Sequence, residues 1–516
     1  MARHIHSRLK VEGALTTETA LHVGGLGESP DTDLPLARNG RGEFYIPGTS
    51  ITGVIRSWCE KNFDKEEIKK LFGYQKEESG QASLVIVEDI AFKNIQEEIR
   101  DGVDIDRVYG TAADKAKFDR AIVPRGTELL LKITVEVESN AEVGKVKNIF
   151  GHLLGALRRG EIRFGASRTR GLGKVKLTKL KKVEEHEMSK ILEWLNSSGS
   201  TQDFTDDSRI QEEIKNLTGE SSAPTNQLLT ITVNWVPKSP VMVKAGYDGV
   251  GVDTLPLVSG NGNGRVSLCL PGSSIKGAFR AQAERIVRTL KPEKFPREND
   301  FYKQIKVEIV DELFGAKKEK TGQANHLGLG TLSVDDCYAT TTFDSAVWNE
   351  VEAGELKDNE TYRTQSLWKS LKKIDGDKKD DSTSFNISHH VAIDRWTGGA
   401  SEGALYSVLQ PTAKIGWQVI CLTLDLSRLP DESLKKKCLM LLLLVLRDFA
   451  ESRLPLGFTT NRGMGEVVVK EIKGLDKIPK LIGLEGEPFE AEIKDERLIF
   501  KGDKVKEALK GVLSNE

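Results

Sequence analysis

Two glycine-rich loops carry the residue types best suited to holding a phosphate. Residues 165–175 read GASRTRGLGKV and residues 457–467 read GFTTNRGMGEV. Each supplies an arginine, Arg170 or Arg462, and then a Gly-x-Gly pair, Gly171 and Gly173 or Gly463 and Gly465. Glycine admits positive φ, and in such a turn successive N–H groups can converge on an anion. The same glycines would also serve a plain tight turn. Two further anion-binding candidates lie upstream, in IPGTSITGVIRSW (46–58) and LPGSSIKGAFRAQ (270–282). Each Pro-Gly start predicts a helix, with Ser50 or Ser274 near the cap position. Its first-turn N–H groups, with Arg56, Lys276 or Arg280, would face an anion.

These pairs belong to a duplication of the chain. Pro47, Gly48, Ser50, Gly53 and Arg56 match Pro271, Gly272, Ser274, Gly277 and Arg280 at an offset of 224. LFGYQKEESGQA (71–82) matches LFGAKKEKTGQA (313–324) at 242, and IDRVYGTAADKAKF (105–118) matches IDRWTGGASEGALY (393–406) at 288. The glycine loops match at 292. Four blocks in one order mean two copies of one domain. The jump in offset places an insertion in the second copy, over about residues 338–388.

Each copy reads as strand, long loop, helix, strands, helix, glycine loop and strand. SRLKVEGALT (7–16) and LLTITVNWV (228–236) open the copies, and TELLLKITVEVE (127–138) and WQVICLTLDLS (417–427) alternate as strands do. Residues 145–160 and 433–452 are helical and stop just before the glycine loops. The order fits an α+β chain of two ferredoxin-like, RRM-like domains, a fold whose RNA-binding forms use a sheet face. The expected boundaries are 1–180 for the first domain, 181–226 for a linker, 227–474 for the second domain and 475–516 for a C-terminal extension. The linker holds five Lys/Arg against ten Asp/Glu. Its start, LKKVEEHEMSKILEWLNSS, predicts an amphipathic helix with Met188, Ile191, Leu192 and Leu195 on one stripe. DGDKKDDSTS (375–384) predicts a solvated, mobile loop.

Composition narrows the function classes. With 38% hydrophobic and 29% charged residues the chain reads as a soluble globular protein, and its scattered cysteines suggest a reducing cytoplasm. Its longest apolar stretch, CLMLLLLVL (438–446), is too short for a membrane span and predicts a buried helix. The five cysteines are scattered without a CxxC pair, against a structural zinc. A net charge of −2 argues against a strongly basic nucleic-acid binder, although it averages over unlike segments.

PGSSIKGAFR and SRTRGLGKV resemble the two signatures of the RAMP superfamily, the repeat-associated proteins of CRISPR effector complexes. IDRWTGGASEGALY resembles the backbone subunits of type III complexes, and two units in one chain are similar to the tandem subunits of the type III-D variants. The first copy departs from the pattern, with Tyr109-Gly110 for Thr-Gly and Lys115-Ala116-Lys117 for Gly-Ala-Leu. The resemblance implies a backbone that coats a CRISPR guide RNA beside other subunits. Each unit would push a thumb-like hairpin, about 90–125 or 338–410, through the guide–target duplex, and an acidic residue near it would cut the target RNA.

By that resemblance the acid lies in the loop after the first strand, shortly before a proline. The loops read GLGESPDTDLPLARNG and GYDGVGVDTLPLVSGNG. Anchoring on Pro35 and Pro256 puts Asp33 two residues before proline. Thr254 holds that place in the second copy, with Asp253 one residue earlier. Asp33 therefore fits directly and Asp253 fits with a one-residue shift; Asp31 and Asp248 are weaker candidates. Such a carboxylate would hold Mg²⁺ or Mn²⁺, with RNA phosphate and water completing the shell, or would orient the ribose 2′-OH. The plain alternative is an aspartate that braces its own turn. The resemblance also makes Arg107, Arg395 and Trp396 RNA contacts. Their alternatives are pairing with Asp106 and Asp394, and packing of the hairpin. His389 and His390 are acids or base-stackers, or solvated loop residues; His22 and Lys244 have the same standing. A non-catalytic scaffold of the same complex and a guide-processing endoribonuclease remain open.

Overall fold

The computed structural model describes residues 4–25, 32–76, 79–93, 95–190, 192, 206–219, 224, 227–316, 328–353, 360–375, 383–429, 431–482, 490–501 and 507. The chain forms two compact units. One comprises Met1–Glu98, Arg120–Arg168 and Leu172–Asn226, and the other Ile99–Asp119, Thr169–Gly171 and Gln227–Glu516. Both mix helices and strands, so the fold class is α+β.

The sheet of the first unit is built from β1 (Ser7–Thr17), β2 (Val85–Val87), β5 (Glu128–Val137) and β6 (Val175–Glu187). Their order is β6-β1-β5-β2, and all pairs are antiparallel. In β1 and β5 the residues alternate in burial, which puts Leu9, Val11, Leu129, Leu131, Ile133 and Val135 on the core face. Helices α1 (Gly48–Asn62) and α2 (Asn140–Arg158) supply the other half of that core through Ile51, Ile55, Phe150, Leu153 and Leu157. A further helix, α3 (Asp207–Thr218), packs on α2 where Gly151 allows close approach; a Cβ there would sit 2.8 Å from Leu217 Cβ.

One segment departs from the sequence expectation. The stretch from residue 180 does not begin as a helix: it continues β6 to Glu187, with one 3-10 turn at Met188–Lys190. The open edge of β1 decides this, because Ser7–Val11 pair with Val183–Glu187 and satisfy backbone groups that an isolated helix would leave to water. Ile191 and Leu195 lie outside the described residues, as does most of the expected mobile loop at 375–384.

The second unit repeats the plan. Its sheet comprises β7 (Leu228–Pro237), β8 (Leu332–Val334), β11 (Ile420–Asp425) and β12 (Val467–Lys473), in the order β12-β7-β11-β8. Its helices are α4 (Gly272–Leu290) and α7 (Glu432–Ala450). The apolar run 438–446 is buried inside α7, and no described helix is long and apolar enough to cross a membrane. Single hydrogen bonds recur at the repeat offsets. Gly173 N donates to Ala20 O and Gly465 N to Pro240 O, both at 2.8 Å; Ala166 N donates to His22 O (2.8 Å) and Phe458 N to Met242 O (2.7 Å).

Each copy carries a two-stranded hairpin before its third sheet strand. The first is β3 (Glu98–Ile105) with β4 (Ala112–Ile122), and the second is β9 (Phe385–Ile393) with β10 (Ala400–Pro411). The second copy's insertion folds as α5 (Ser345–Ala353) and α6 (Glu360–Asp375). Trp348, Leu367 and Leu371 join Phe343 and Phe385 in a separate core at the root of the second hairpin.

Candidate nucleic-acid interface and cleavage site

The two acidic loops are held in one register. In the first unit Leu34 bridges Arg120 in parallel, and Ala121 N donates to Leu34 O at 3.1 Å. In the second, Thr254 bridges Val408 in parallel, and Leu409 N donates to Thr254 O at 2.9 Å. The flanking bridges agree, Gly24 with Leu36 and Lys244 with Pro256. Backbone pairing therefore makes Leu34 the counterpart of Thr254, and Asp33 that of Asp253. Proline anchoring misaligned the loops by one residue, because Pro35 and Pro256 occupy successive places in the same ladder. Both aspartates are exposed, each at the root of its hairpin. Asp31 lies outside the described residues. Asp248 is paired with Lys244 at 3.1 Å.

The second unit gathers several other polar groups around its aspartate. Ser407 N and Ser407 Oγ donate to Asp253 Oδ2 at 2.6 and 2.8 Å. Across the hairpin Ser407 pairs with His389, and Tyr406 with His390. The His390 and Tyr406 rings stack with centroids 5.1 Å apart. Arg462, from the glycine loop, donates to Tyr406 Oη and lies over its ring. Asp253, the His389-His390 pair and Arg462 lie far apart in sequence; two residues of the GALYS segment, Tyr406 and Ser407, join them. Both went unsingled in the sequence, although strand alternation along 400–411 could have put them beside the histidines. Among the described residues no three His, Cys, Asp or Glu side chains stand together as a metal site. Among the described residues, Asp33 and Asp253 are the carboxylates that the two acidic loops set at the hairpin roots.

The glycine loops are tight turns that expose their arginines. Gly173 and Gly465 have φ of +84° and +88°, and a Cβ on either would collide with a backbone oxygen, Phe164 O or Leu456 O. Arg170 and Arg462 are exposed. Gly463 opens to solvent, but Gly171 is backed by Gly272 and the Asp336 carboxylate, which closes that side to a phosphate.

The helix starts do not form the expected anion sites. The caps are Pro47 and Pro271, so Ser50 and Ser274 sit inside the helices rather than at their ends. The first N–H of each helix is already taken, Gly48 N by Asp89 Oδ1 at 2.7 Å and Gly272 N by Asp336 Oδ1 at 2.8 Å. An internal carboxylate thus occupies the place foreseen for phosphate. Lys276 is only 5% exposed, and its Nζ donates to Leu332 O at 2.7 Å. Burial first, and the positive charges of Arg170, Arg280 and Arg428 second, lower its pKa to about 7. Arg280 is spent on Glu284, Asp311 and the carbonyls of Ile305 and Gly315. Arg56 donates to Glu60 and to Gly73 O at 2.8 and 3.1 Å. Lys276 and Arg280 are therefore engaged by partners within their own fold.

The hairpin turns share one design. Asp106 Oδ1 accepts from Val108 N and Tyr109 N, and Asp394 Oδ1 from Trp396 N and Thr397 N, at 2.7–2.9 Å. These N–H groups, chiefly those of Tyr109 and Thr397, hold both carboxyls below their usual pKa. Among the described residues, neither arginine that follows forms an ion pair with its aspartate, although the Arg107 charge adds to the lowering at Asp106. Arg107 Nε donates to Glu284 Oε2 at 2.8 Å, within the second unit, while Arg395 is exposed. Trp396 is 96% exposed, with Ile393 and Leu405 also in solvent, so Trp396 does not pack the hairpin. His22 is buried with Nδ1 2.7 Å from Ala121 O, and burial lowers its pKa; it braces the loop.

Comparison with known proteins agrees with this duplicated geometry. The RAMP superfamily model matches residues 14–176 and again 238–468. Among curated proteins, the CRISPR system Cms endoribonuclease Csm3 of Methanocaldococcus jannaschii is 25% identical over 207 residues, which are 35% of this chain and 82% of that protein. The protein of the same name from Enterococcus italicus is 29% identical over 133 residues, 23% of this chain and 59% of that one, so the chain spans less than two thirds of its length. With matched segments that fall on both units and cover most of the sequence, the chain belongs to the RAMP superfamily and carries its domain twice.

Proposed function

We propose that this chain is a guide-RNA-binding backbone subunit of a type III CRISPR effector complex. Each repeat is a ferredoxin-like domain, a reading supported by the strand–helix–strand–strand–helix–strand order of both sheets. Asp33 and Asp253 each cut guide-complementary target RNA once. The observation that carries this is the shared ladder register, which sets an exposed aspartate at the root of each hairpin. Arg56, Arg170 and Arg462 steady guide phosphates without reading sequence. Arg395 and Trp396 meet the target strand, where the indole unstacks a base step and turns the backbone toward in-line geometry. The ribose 2′-OH then attacks the adjacent phosphate as the aspartate draws its proton, leaving a 2′,3′-cyclic phosphate and a 5′-OH. Mg²⁺ or Mn²⁺ arriving with the RNA would take one carboxylate from the protein and neutralise phosphate charge.

The test is a denaturing gel of target RNA cut by the assembled complex. Asp33→Ala and Asp253→Ala should each slow one cut by about 10²–10⁴-fold, the usual scale for losing a positioned base. Both bands should vanish in the double variant and on adding chelator, with target binding retained. If every cut survives the double variant, the nuclease lies in another chain. A second reading has one observation of its own. The two hydrogen bonds from Ser407 to Asp253 suit a carboxylate that braces the hairpin root, making the second unit a scaffold. Loss of only the Asp33 cut in the double variant would select it.

A further inference from the structure

The second unit contains a filled socket whose counterpart in the first unit is open. In the filled one, Glu284 Oε1 accepts from Arg280 at 2.7 Å and Oε2 from Arg107 at 2.8 Å. Asp336 Oδ1 accepts from Gly272 N at 2.8 Å and Oδ2 from Arg100 at 2.5 Å. Gln304 completes it, taking Arg107 N at its Oε1 (2.9 Å) and giving its amide to Asp106 (3.2 Å). The Glu284 and Asp336 side chains are 3% and 0% exposed. Two arginines of one hairpin, Arg100 and Arg107, thus neutralise two carboxylates flanking the start and middle of α4.

The first unit has the same two carboxylates in the same places. Glu60 lies 224 residues before Glu284, on the equivalent turn of α1, and accepts from Arg56 as Glu284 does from Arg280. Asp89 accepts from Gly48 N as Asp336 does from Gly272 N. Here no second arginine follows. The Glu60 side chain is 38% exposed and Asp89 is exposed, and among the described residues each accepts only from the partner just given.

We infer that the face of the first unit around Glu60 and Asp89 is the docking socket for a β-hairpin of another subunit, one that carries two arginines spaced like Arg100 and Arg107. Charge complementarity selects this occupant, because two carboxylates call for two guanidinium groups, as in the filled socket. It also argues against a second copy of this chain. The exposed hairpin β9–β10 keeps Arg395 in the place of Arg107, but Ser388 stands in that of Arg100. That hairpin would leave Asp89 without its arginine. The inference rests on the duplication and on the reading of this chain as one subunit among several. Its readout is a protein contact and is independent of whether either aspartate cuts RNA.

The experiment uses the complete effector complex, purified through a tag on the full-length chain. A photo-activated benzoylphenylalanine replaces Ser57, exposed one turn before Glu60 on α1. Mapping of the cross-linked peptides should find a hairpin of a different subunit bearing two arginines seven residues apart. Separately, Glu60→Lys and Asp89→Asn should each lower retention of that subunit at least tenfold at moderate salt, with an unchanged melting temperature of the isolated chain. Cross-linking to residues 385–411 of a second copy would overturn the choice of occupant. Cross-linking to RNA alone, to no protein, or to a surface without the paired arginines would overturn the socket itself, as would full retention in both variants.

Discussion

The two Ile-Asp-Arg hairpins are the same motif in opposite circumstances. Both cap their turn with an aspartate that takes two backbone N–H groups. In one, Arg107 is sunk against a nearly buried glutamate; in the other, Arg395 stands in water beside an indole that touches almost nothing. The difference teaches that the turn is intrinsic to the motif, whereas the work of its arginine is set by what faces it. A residue shared by two copies does not carry a shared role.

The largest effect that would sharpen the contrast is on stability. Arg107→Ala strips Glu284 of one of two guanidinium partners and leaves its charge under-compensated in a buried site. We expect a loss of about 3 kcal/mol. Arg395→Ala removes an exposed side chain and should change stability by less than about 0.5 kcal/mol. Urea unfolding followed by tryptophan fluorescence compares the two, and equal losses would break the distinction.

The next effect is on RNA. If the exposed hairpin meets the target strand, Trp396→Ala should weaken target binding by about 1–3 kcal/mol, the range for losing one stacked base. Tyr109→Ala, on the hairpin held through Arg107, should cost less. Filter binding of a labelled target by the assembled complex measures both, and a larger loss for Tyr109→Ala would reverse the assignment.

The smallest effect concerns Lys276. Its pKa falls from an ordinary 10.5 to about 7 on folding, so between those values the unfolded chain binds the extra proton. Stability from this group therefore rises as pH increases from about 7 toward 10, and its cost is fully present below about 7. Lys276→Met should flatten that slope. Melting temperatures at pH 6 and pH 9 would show it, and an unchanged pH dependence would count against the buried ammonium.

Much of the fold was legible because it rests on local pattern. The alternating strands at 127–138 and 417–427 and the buried helix at 438–446 follow from patterns that each segment carries alone, and the duplication follows from matching short blocks. The stretch after residue 180 was misread because its partner, the edge of β1, is some 170 residues away in sequence. Of the site, the aspartate loops and exposed arginines were visible by residue type. Their alignment was not, because proline is a poor anchor where a ladder fixes the register. Lys276 and Arg280 illustrate the remaining gap: a cation near a helix start reads as an anion site until burial and partners are known.

The sequence alone determined that this protein is two copies of one domain, where its tight glycine turns fall, and which acids and cations are available for chemistry. Those properties depend on residue type, spacing and local backbone preference. Only the tertiary structure decided that Asp33 and Asp253 are counterparts, that the α1 and α4 starts are closed by Asp89 and Asp336, and that Arg107 is spent on Glu284 while Arg395 is exposed. Each of those outcomes is a long-range pairing. Hydrogen-bond geometry and desolvation select among partners that lie far apart in the chain, and no local pattern encodes that choice.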